Sequence, residues 1–409
     1  MQQPCIAHCN RLRNGSTVPP HMSSEGPWAK PFPRFSDAEM KRRREALEAA
    51  MEDCAVEHVV VYGANRFGSA VQWLTRWPVT REAFVVVSLG EADALFVNFY
   101  NHVPNAARIA TEADVRWAGP SVHRVIDELA RRGAEGRRIG VIGPLGYAHH
   151  ARLAAFADIV DLNGEYVQLR LIKSPEEIAW LRVGASMTDA AMAALQAQAS
   201  SGMNAYELGS LVERAYIAQG GTTHIHYFGA TSMSEPNLIL PEQWPSTRAM
   251  ERGDALVCEI SATFWDYSGQ LLRTFAVDAD PTPLYSELHD TADAAFDAIF
   301  ERVRPGATAA ELVAAASVIE DAGFTTCDDL VHGFVGGYLP PVLGSSSRTL
   351  EPIPNLVFEE GMVVVIQPNV ITVNERAGVQ TGELVMVGAD GAERLHAYER
   401  GFLRIGAAW

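Results

Sequence analysis

Beyond residue 35 the apolar positions follow two rhythms. Up to about residue 163, short β-branched runs at 56–62, 83–88, 94–99, 138–142 and 159–161 alternate with helix-like stretches at 37–53 and 121–132. That alternation predicts an α/β domain. From residue 174 the pattern changes. Ser174-Pro175-Glu176-Glu177 places serine at an N-cap, proline at the first helical position and glutamate at the third, the signature of a helix start. Ile178, Leu181, Ala185, Thr188, Met192 and Leu195 then recur at three- and four-residue steps, one face of a helix. Further helices are expected over 205–219, 284–302 and 308–322, and strands over 255–263, 274–277, 362–366 and 384–387. Residues 227–247 read as irregular and 332–347 as a Gly/Pro-rich loop. Helices early and paired strands late predict an α+β domain. The expected organisation is a flexible tail at 1–34, a smaller α/β domain at 35–165 and an α+β domain at 166–409.

Composition narrows the function classes. The chain has 409 residues, 48% hydrophobic and 20% charged, enough to bury a core. Its 33 basic and 50 acidic residues leave a net charge of −17, so phosphate backbones are poor partners and no nucleic-acid binding is expected. No run of 18 apolar residues suggests a membrane span. The five cysteines are scattered. Cys5 and Cys9 have no second ligand pair nearby, so the pattern reads as free thiols in a reducing compartment. The first 21 residues hold no apolar core of the kind a secretory signal needs. The cytoplasm is the expected location.

Five fragments then fall in a suggestive order: Leu171-Ile172-Lys173-Ser174-Pro175-Glu176-Glu177-Ile178, Arg252-Gly253-Asp254-Ala255-Leu256-Val257, Arg273-Thr274-Phe275, Val331-His332-Gly333 and Glu360-Gly361-Met362-Val363-Val364. Together they resemble the creatinase / aminopeptidase P family over residues 170–409, and the first part of the chain fits that family's smaller amino-terminal domain. The resemblance implies a pita-bread α+β domain behind an α/β domain, and a homodimer.

Working peptidases of that family hold two divalent metals with two Asp eleven residues apart, one His and two Glu. The corresponding positions here are Glu259, Gln270, His332, Gln367 and Gly382; a one-residue slip would put Glu383 in place of Gly382. Two dications bring a charge of +4, and one sure carboxylate with two neutral amides cannot balance it. No metal and no other cofactor is therefore expected.

The resemblance instead implies a metal-independent, creatinase-like hydrolase that cleaves a C–N bond of amide or amidine type in a small polar molecule. Glu242 stands where the family carries a His. Glu242 or His332 would deprotonate water while the other protonates the leaving nitrogen, and Glu259 would hold a cationic part of the substrate. Gln270 and Gln367 would orient the substrate, or could equally plug a dead metal site with mutual amide bonds. Arg81 falls roughly where creatinase's first domain sends an Arg to the neighbouring subunit, with Arg66 and Arg76 as weaker versions; the plain alternative is a surface Arg. His224 and His226 alternate like strand residues on one face, and His226 is taken as a substrate contact. Tyr338 replaces a segment where the peptidases carry a His-Glu pair. Two other readings stay open: an Xaa-Pro aminopeptidase-type metallopeptidase with altered ligands, and a non-enzymatic binding module.

Overall fold

The computed structural model describes residues 32–65, 67–119, 122–348 and 352–406. The tail expected at 1–34 lies almost entirely outside them, as do Cys5, Cys9 and Arg66. Among the described residues Cys54, Cys258 and Cys327 are free thiols, and no helix is long and apolar enough to cross a membrane.

Helix α1 (Asp37–Asp53) starts at Ser36, whose hydroxyl accepts from the Glu39 amide at 3.1 Å. A six-stranded mixed sheet follows: β1 (His58–Ala64), β2 (Glu82–Ser88), β3 (Ala94–Val97), β4 (Asp114–Trp117), β5 (Arg138–Ile142) and β6 (Asp158–Asp161), in the order β4-β3-β2-β1-β5-β6. The apolar runs are continuous because both faces are covered. Val59, Val61, Val85 and Val87 pack into one core, while Val60, Tyr62, Phe84 and Val86 pack into another. The covering helices are α2 (Ala70–Thr75), α3 (Val103–Ile109), α4 (His123–Arg131), α5 (Tyr147–Ala154) and α6 (Asn163–Leu171). β1 begins two residues later than expected because Val56 still bonds back to Met51 at 3.0 Å, through a left-handed Ala55 (φ 53°).

The second sheet carries the candidate chemistry. Its main path runs β13-β12-β14-β16-β10-β8-β7, from β7 (Thr222–Ser232), β8 (Asp254–Phe264), β9 (Tyr267–Ser268), β10 (Leu271–Val277), β11 (Thr325–Thr326), β12 (Val331–Phe334), β13 (Tyr338–Leu343), β14 (Val363–Ile366), β15 (Val370–Ile371), β16 (Gly382–Gly388), β17 (Gly391–Arg394) and β18 (Leu403–Ile405). β9, β17 and β18 pair at its margins, and β11 and β15 form a separate pair. Helices α7 (Pro175–Gln198), α8 (Ala205–Tyr216), α9 (Pro283–Phe300), α10 (Ala309–Ala315) and α11 (Val318–Asp321) accompany it. The capping box at Ser174 and Glu177 is present.

Two expectations are corrected. Residues 227–232, read as irregular, belong to β7, where Tyr227 and Phe228 suit a strand and pairing with β8 carries the chain through Gly229 to Ser232. His332 lies on a strand rather than a loop, with β14 on one side and β13 on the other. Its neighbour Gly333 lets the hairpin close: a Cβ there would meet the Pro340 carbonyl at 2.3 Å.

A close backbone crossing positions the site. A Cβ on Gly184 of α7 would meet the Tyr267 carbonyl at 2.4 Å, and one on Gly269 would meet the Ala185 Cα at 2.5 Å. Gly184→Ala should therefore destabilise the protein by about 1–3 kcal/mol. The helix-propensity gain of about 1 kcal/mol has the opposite sign, but a backbone oxygen cannot rotate away. A rise in denaturant midpoint for this variant would refute the crossing.

Candidate active site

Glu259 on β8 and Gln270 just before β10 are joined by the turn at Trp265 and Asp266, both left-handed (φ 49° and 76°). The Gln270 amide donates to the Glu259 carboxylate at 2.6 Å. Burial pushes the Glu259 carboxyl up to about 7, with Asp328 adding to the rise and the Gln270 amide opposing it. The Gln270 backbone N–H donates to His396 Nε2 at 3.3 Å, and His396 Nδ1 meets Asp189 at 2.7 Å. Gln270 is thus held by a second layer.

His332 is fully buried. Its Nδ1 lies 3.2 Å from the Gly333 carbonyl. A carbonyl can only accept, so this contact assigns the ring proton to Nδ1. Nε2 makes no well-formed hydrogen bond, and the Gln367 side chain faces the ring. Burial pushes the imidazole down to about 4. Tyr338 stacks on the ring, 3.9 Å between centroids, and donates to Asp329 Oδ1 at 3.3 Å. Gln367 donates its amide to the Asp329 carbonyl at 3.4 Å. The Asp329 carboxyl is raised by burial and by adjacent Asp328. Gln270 Oε1 is buried without a partner, while Asp329 shares a hydrogen bond with Asp328 and Gln367 faces His332.

Asp328 and Asp329 are absent from the sequence-based expectations. The available signal was an acidic pair placed directly before the apolar Leu330-Val331 that leads into His332. Asn369, two residues beyond Gln367, was also missed; it is buried with both amide atoms unpartnered.

Four expected participants lie elsewhere. Glu242 bridges to Phe228, its amide donating to the Phe228 carbonyl at 3.2 Å. That register puts it on the helix side of β7, opposite the face shared by Tyr227 and Glu259. It is exposed, beside Arg248, and Trp244, 84% exposed, gives it no shelter. His226 meets Tyr216 of α8 at 3.0 Å and is pushed down to about 4 by burial, with Glu213 opposing. A register shift at His224 breaks the expected alternation, and that ring approaches Phe334 instead. Arg81 is exposed on the small sheet, its guanidinium over Phe99. Arg76 is buried and paired with Glu112, so it cannot reach another subunit.

Glu383 is the fourth. Leu272 faces both Glu259 and Gly382 across β10, whereas Glu383 pairs with Leu271 and so lies on the other face of the sheet. There Arg273 donates to it at 2.8 Å and Arg394 closes a bidentate pair. Burial raises its pKa, but Arg394 and Arg273 outweigh burial and hold it below the ordinary value. Gly382 itself has no room for a side chain, since a Cβ would meet the Ile366 carbonyl at 2.7 Å and Gln367 Cα at 2.9 Å.

Residues 179–389 match the family model described as metallopeptidase family M24. The chain belongs to the M24 family. Among curated M24 relatives, the Xaa-Pro dipeptidase of Pyrococcus furiosus is 26% identical over 272 residues, spanning 65% of this chain and 75% of that protein. The putative dipeptidase YkvY of Bacillus subtilis is 26% identical over 259 residues, 60% and 65% respectively. The solved prolidase of Pyrococcus horikoshii OT3 superposes with a TM-score of 0.74 at 20% identity, covering 88% of this chain and all of that one. Dipeptidase PepE of Mycobacterium ulcerans gives 0.75 at 22%, covering 91% and 100%. The pita-bread fold behind an α/β region is the shared architecture.

The donor set at the M24 ligand positions does not fit a pair of dications. Glu259 is the one carboxylate, Gln270 turns an N–H toward it, Gln367 turns its N–H to a backbone carbonyl, and Gly382 offers nothing. Among the described residues no group of three His, Cys, Asp or Glu side chains is arranged to hold an ion.

Glu383→Ala should cost about 3–5 kcal/mol, because it leaves two guanidiniums without their buried counter-charge. The depressed Glu383 pKa also stabilises the fold above the ordinary Glu value, and that contribution is lost as pH falls through the folded-state pKa. Urea titrations at pH 7 and pH 4 check both: the wild type should lose stability between them, and the variant should lose less.

Proposed function

We propose that this M24 member hydrolyses a C–N bond in a small substrate by acid–base chemistry of its own side chains, without a resident metal pair. The observation that carries the reading is Glu259: a buried carboxyl poised near neutrality, with an amide for a neighbour. In its carboxylate form it takes a proton from the attacking water. In its acid form it returns that proton to the leaving nitrogen. The C–N bond breaks as the C–O bond forms, and no net proton is gained or lost by the protein. The Nε2 lone pair of His332 accepts a hydrogen bond from the water or a substrate N–H and orients it. Gln270 Oε1 is a bare acceptor beside the Glu259 carboxylate, so a substrate with N–H donors, such as an ammonium or amidinium group beside the scissile bond, is the class that satisfies them. With Glu242 on the other side of the sheet, Glu259 rather than Glu242 is the base.

The dipeptidase names carried by the relatives favour a second reading, an Xaa-Pro peptidase whose metals are held by altered ligands. Peptide bonds therefore stand first among the amides to try, and a preference for non-peptide substrates is not part of the proposal. A homodimer in the cytoplasm is the proposed setting, checked for the dimer by light scattering.

The test uses EDTA-dialysed protein, verified metal-free by mass spectrometry, with Xaa-Pro dipeptides and small amides and amidines. Turnover should survive chelation. kcat/KM should rise with pH through about 7 and then level, since the carboxylate is the base. Glu259→Gln should lower kcat/KM by about 10²–10⁴-fold. Activity lost on dialysis and restored by manganese or cobalt would overturn the proposal and establish the second reading.

A further inference from the structure

Glu259 has further acids for company. Asp328 and Asp329 stand just before β12, and Asp328 lies within electrostatic reach of Glu259, His332 and Tyr338. Its carboxylate is fixed from behind. It accepts the Asp329 amide N–H at 2.8 Å and shares a hydrogen bond with the Asp329 side chain. Asp329 also accepts from the Tyr338 hydroxyl at 3.3 Å and is buried. Asp329 is therefore spent inside the protein, whereas Asp328 and Glu259 are both partly open to solvent.

No cation of the protein answers these acids. Among the described residues no guanidinium or ammonium pairs with Glu259, Asp328 or Asp329; Arg273 is paired with Glu383 and Arg348 with Glu375. Like charges gathered in a partly desolvated place are unfavourable until a counter-charge arrives. The acids are also not set to share one metal ion, since among the described residues no three His, Cys, Asp or Glu side chains are arranged to hold one. An ammonium or amidinium spreads its N–H donors over several ångströms and can reach carboxylates that a single ion cannot bridge.

Two neighbours suit the same guest. Gln270 is fully buried with its amide against Glu259 at 2.6 Å, and its Oε1 has no partner. It offers a neutral acceptor beside the carboxylate. Tyr338 is stacked on His332, 3.9 Å between centroids at 12°, and tethered through its hydroxyl to Asp329, yet it is 53% exposed. A ring held still with much of its surface open is a platform for a cation, which the ring's electron-rich face attracts.

We propose that Asp328, together with Glu259 and the exposed ring of Tyr338, holds the cationic nitrogen of an organic substrate, and that Asp328 is the residue that sets the preference for a positive charge. Asp328 thereby selects the charge of a molecule whose C–N bond Glu259 breaks, and to that extent its role rests on the hydrolytic reading above. The binding itself needs no turnover and is measured without it.

The full chain, dialysed against EDTA, is titrated at fixed ionic strength with benzylammonium and with benzyl alcohol, which has the same shape and no charge, and binding is read by saturation-transfer NMR. Benzylammonium should bind about tenfold more tightly than the alcohol, and Asp328→Asn should remove that advantage while leaving the alcohol unaffected. Equal binding of the two probes, or an undiminished preference in the variant, overturns the role of Asp328. So does stoichiometric manganese that displaces benzylammonium from the wild type. If the variant fails to fold, the two probes on the wild type decide. Loss of turnover on chelation with the ammonium preference intact would sink the hydrolytic reading alone, whereas metal-free turnover without any ammonium preference would sink the cation site alone.

Discussion

One largely buried carboxyl, held by an amide instead of a cation, is the constraint on which the proposed chemistry rests. Glu259 has lost most of its water and gained only a neutral hydrogen bond from Gln270. Desolvation penalises the charged form, and without a counter-ion nothing restores it. The proton therefore sits near balance. Glu383 shows the opposite outcome on the other face of the same sheet. It is the more deeply buried of the two, yet two guanidiniums keep it ionised. The contrast lies in the neighbours: cations beside Glu383, and an amide with a nearby Asp328 beside Glu259.

The acceptor-rich character of the site follows from the same arrangement. Gln270 and Gln367 each direct an N–H into the protein, to a carboxylate and to a backbone carbonyl, which leaves the Gln270 oxygen bare and the Gln367 side chain facing His332. His332 does likewise, giving its one proton to the Gly333 carbonyl. Arg273, on the other face of the sheet, is engaged with Glu383 and with the carbonyls of Leu272, Gly382 and Glu399. The proposed donor-rich substrate answers that imbalance.

Backbone proximity makes the arrangement possible. Gly184 and Gly269 let helix α7 and the β9 hairpin touch without side chains between them. Tyr267 then reaches Glu177 at 2.8 Å and Arg43 at 3.0 Å, linking α7, the hairpin and α1.

Much of the fold is legible in the sequence. The capping box at Ser174, the three- and four-residue apolar steps of α7 and the valine-rich runs of β1 and β2 are local signals, and local hydrogen bonding and burial honour them. The family pattern likewise located Glu259, Gln270, His332 and Gln367 by spacing along the chain. What the chain could not disclose is which face each residue takes. Glu242, His226 and Glu383 stood at plausible spacings, but sheet register sends each to the wrong side, and a shift of one residue reverses a side chain. The placement of Asp328 near Glu259 and the pairing of Arg76 with Glu112 depend on contacts between segments far apart in sequence. Pairing across strands and packing across the domain seam decided them, because desolvation and hydrogen-bond partnership exist only once distant segments meet.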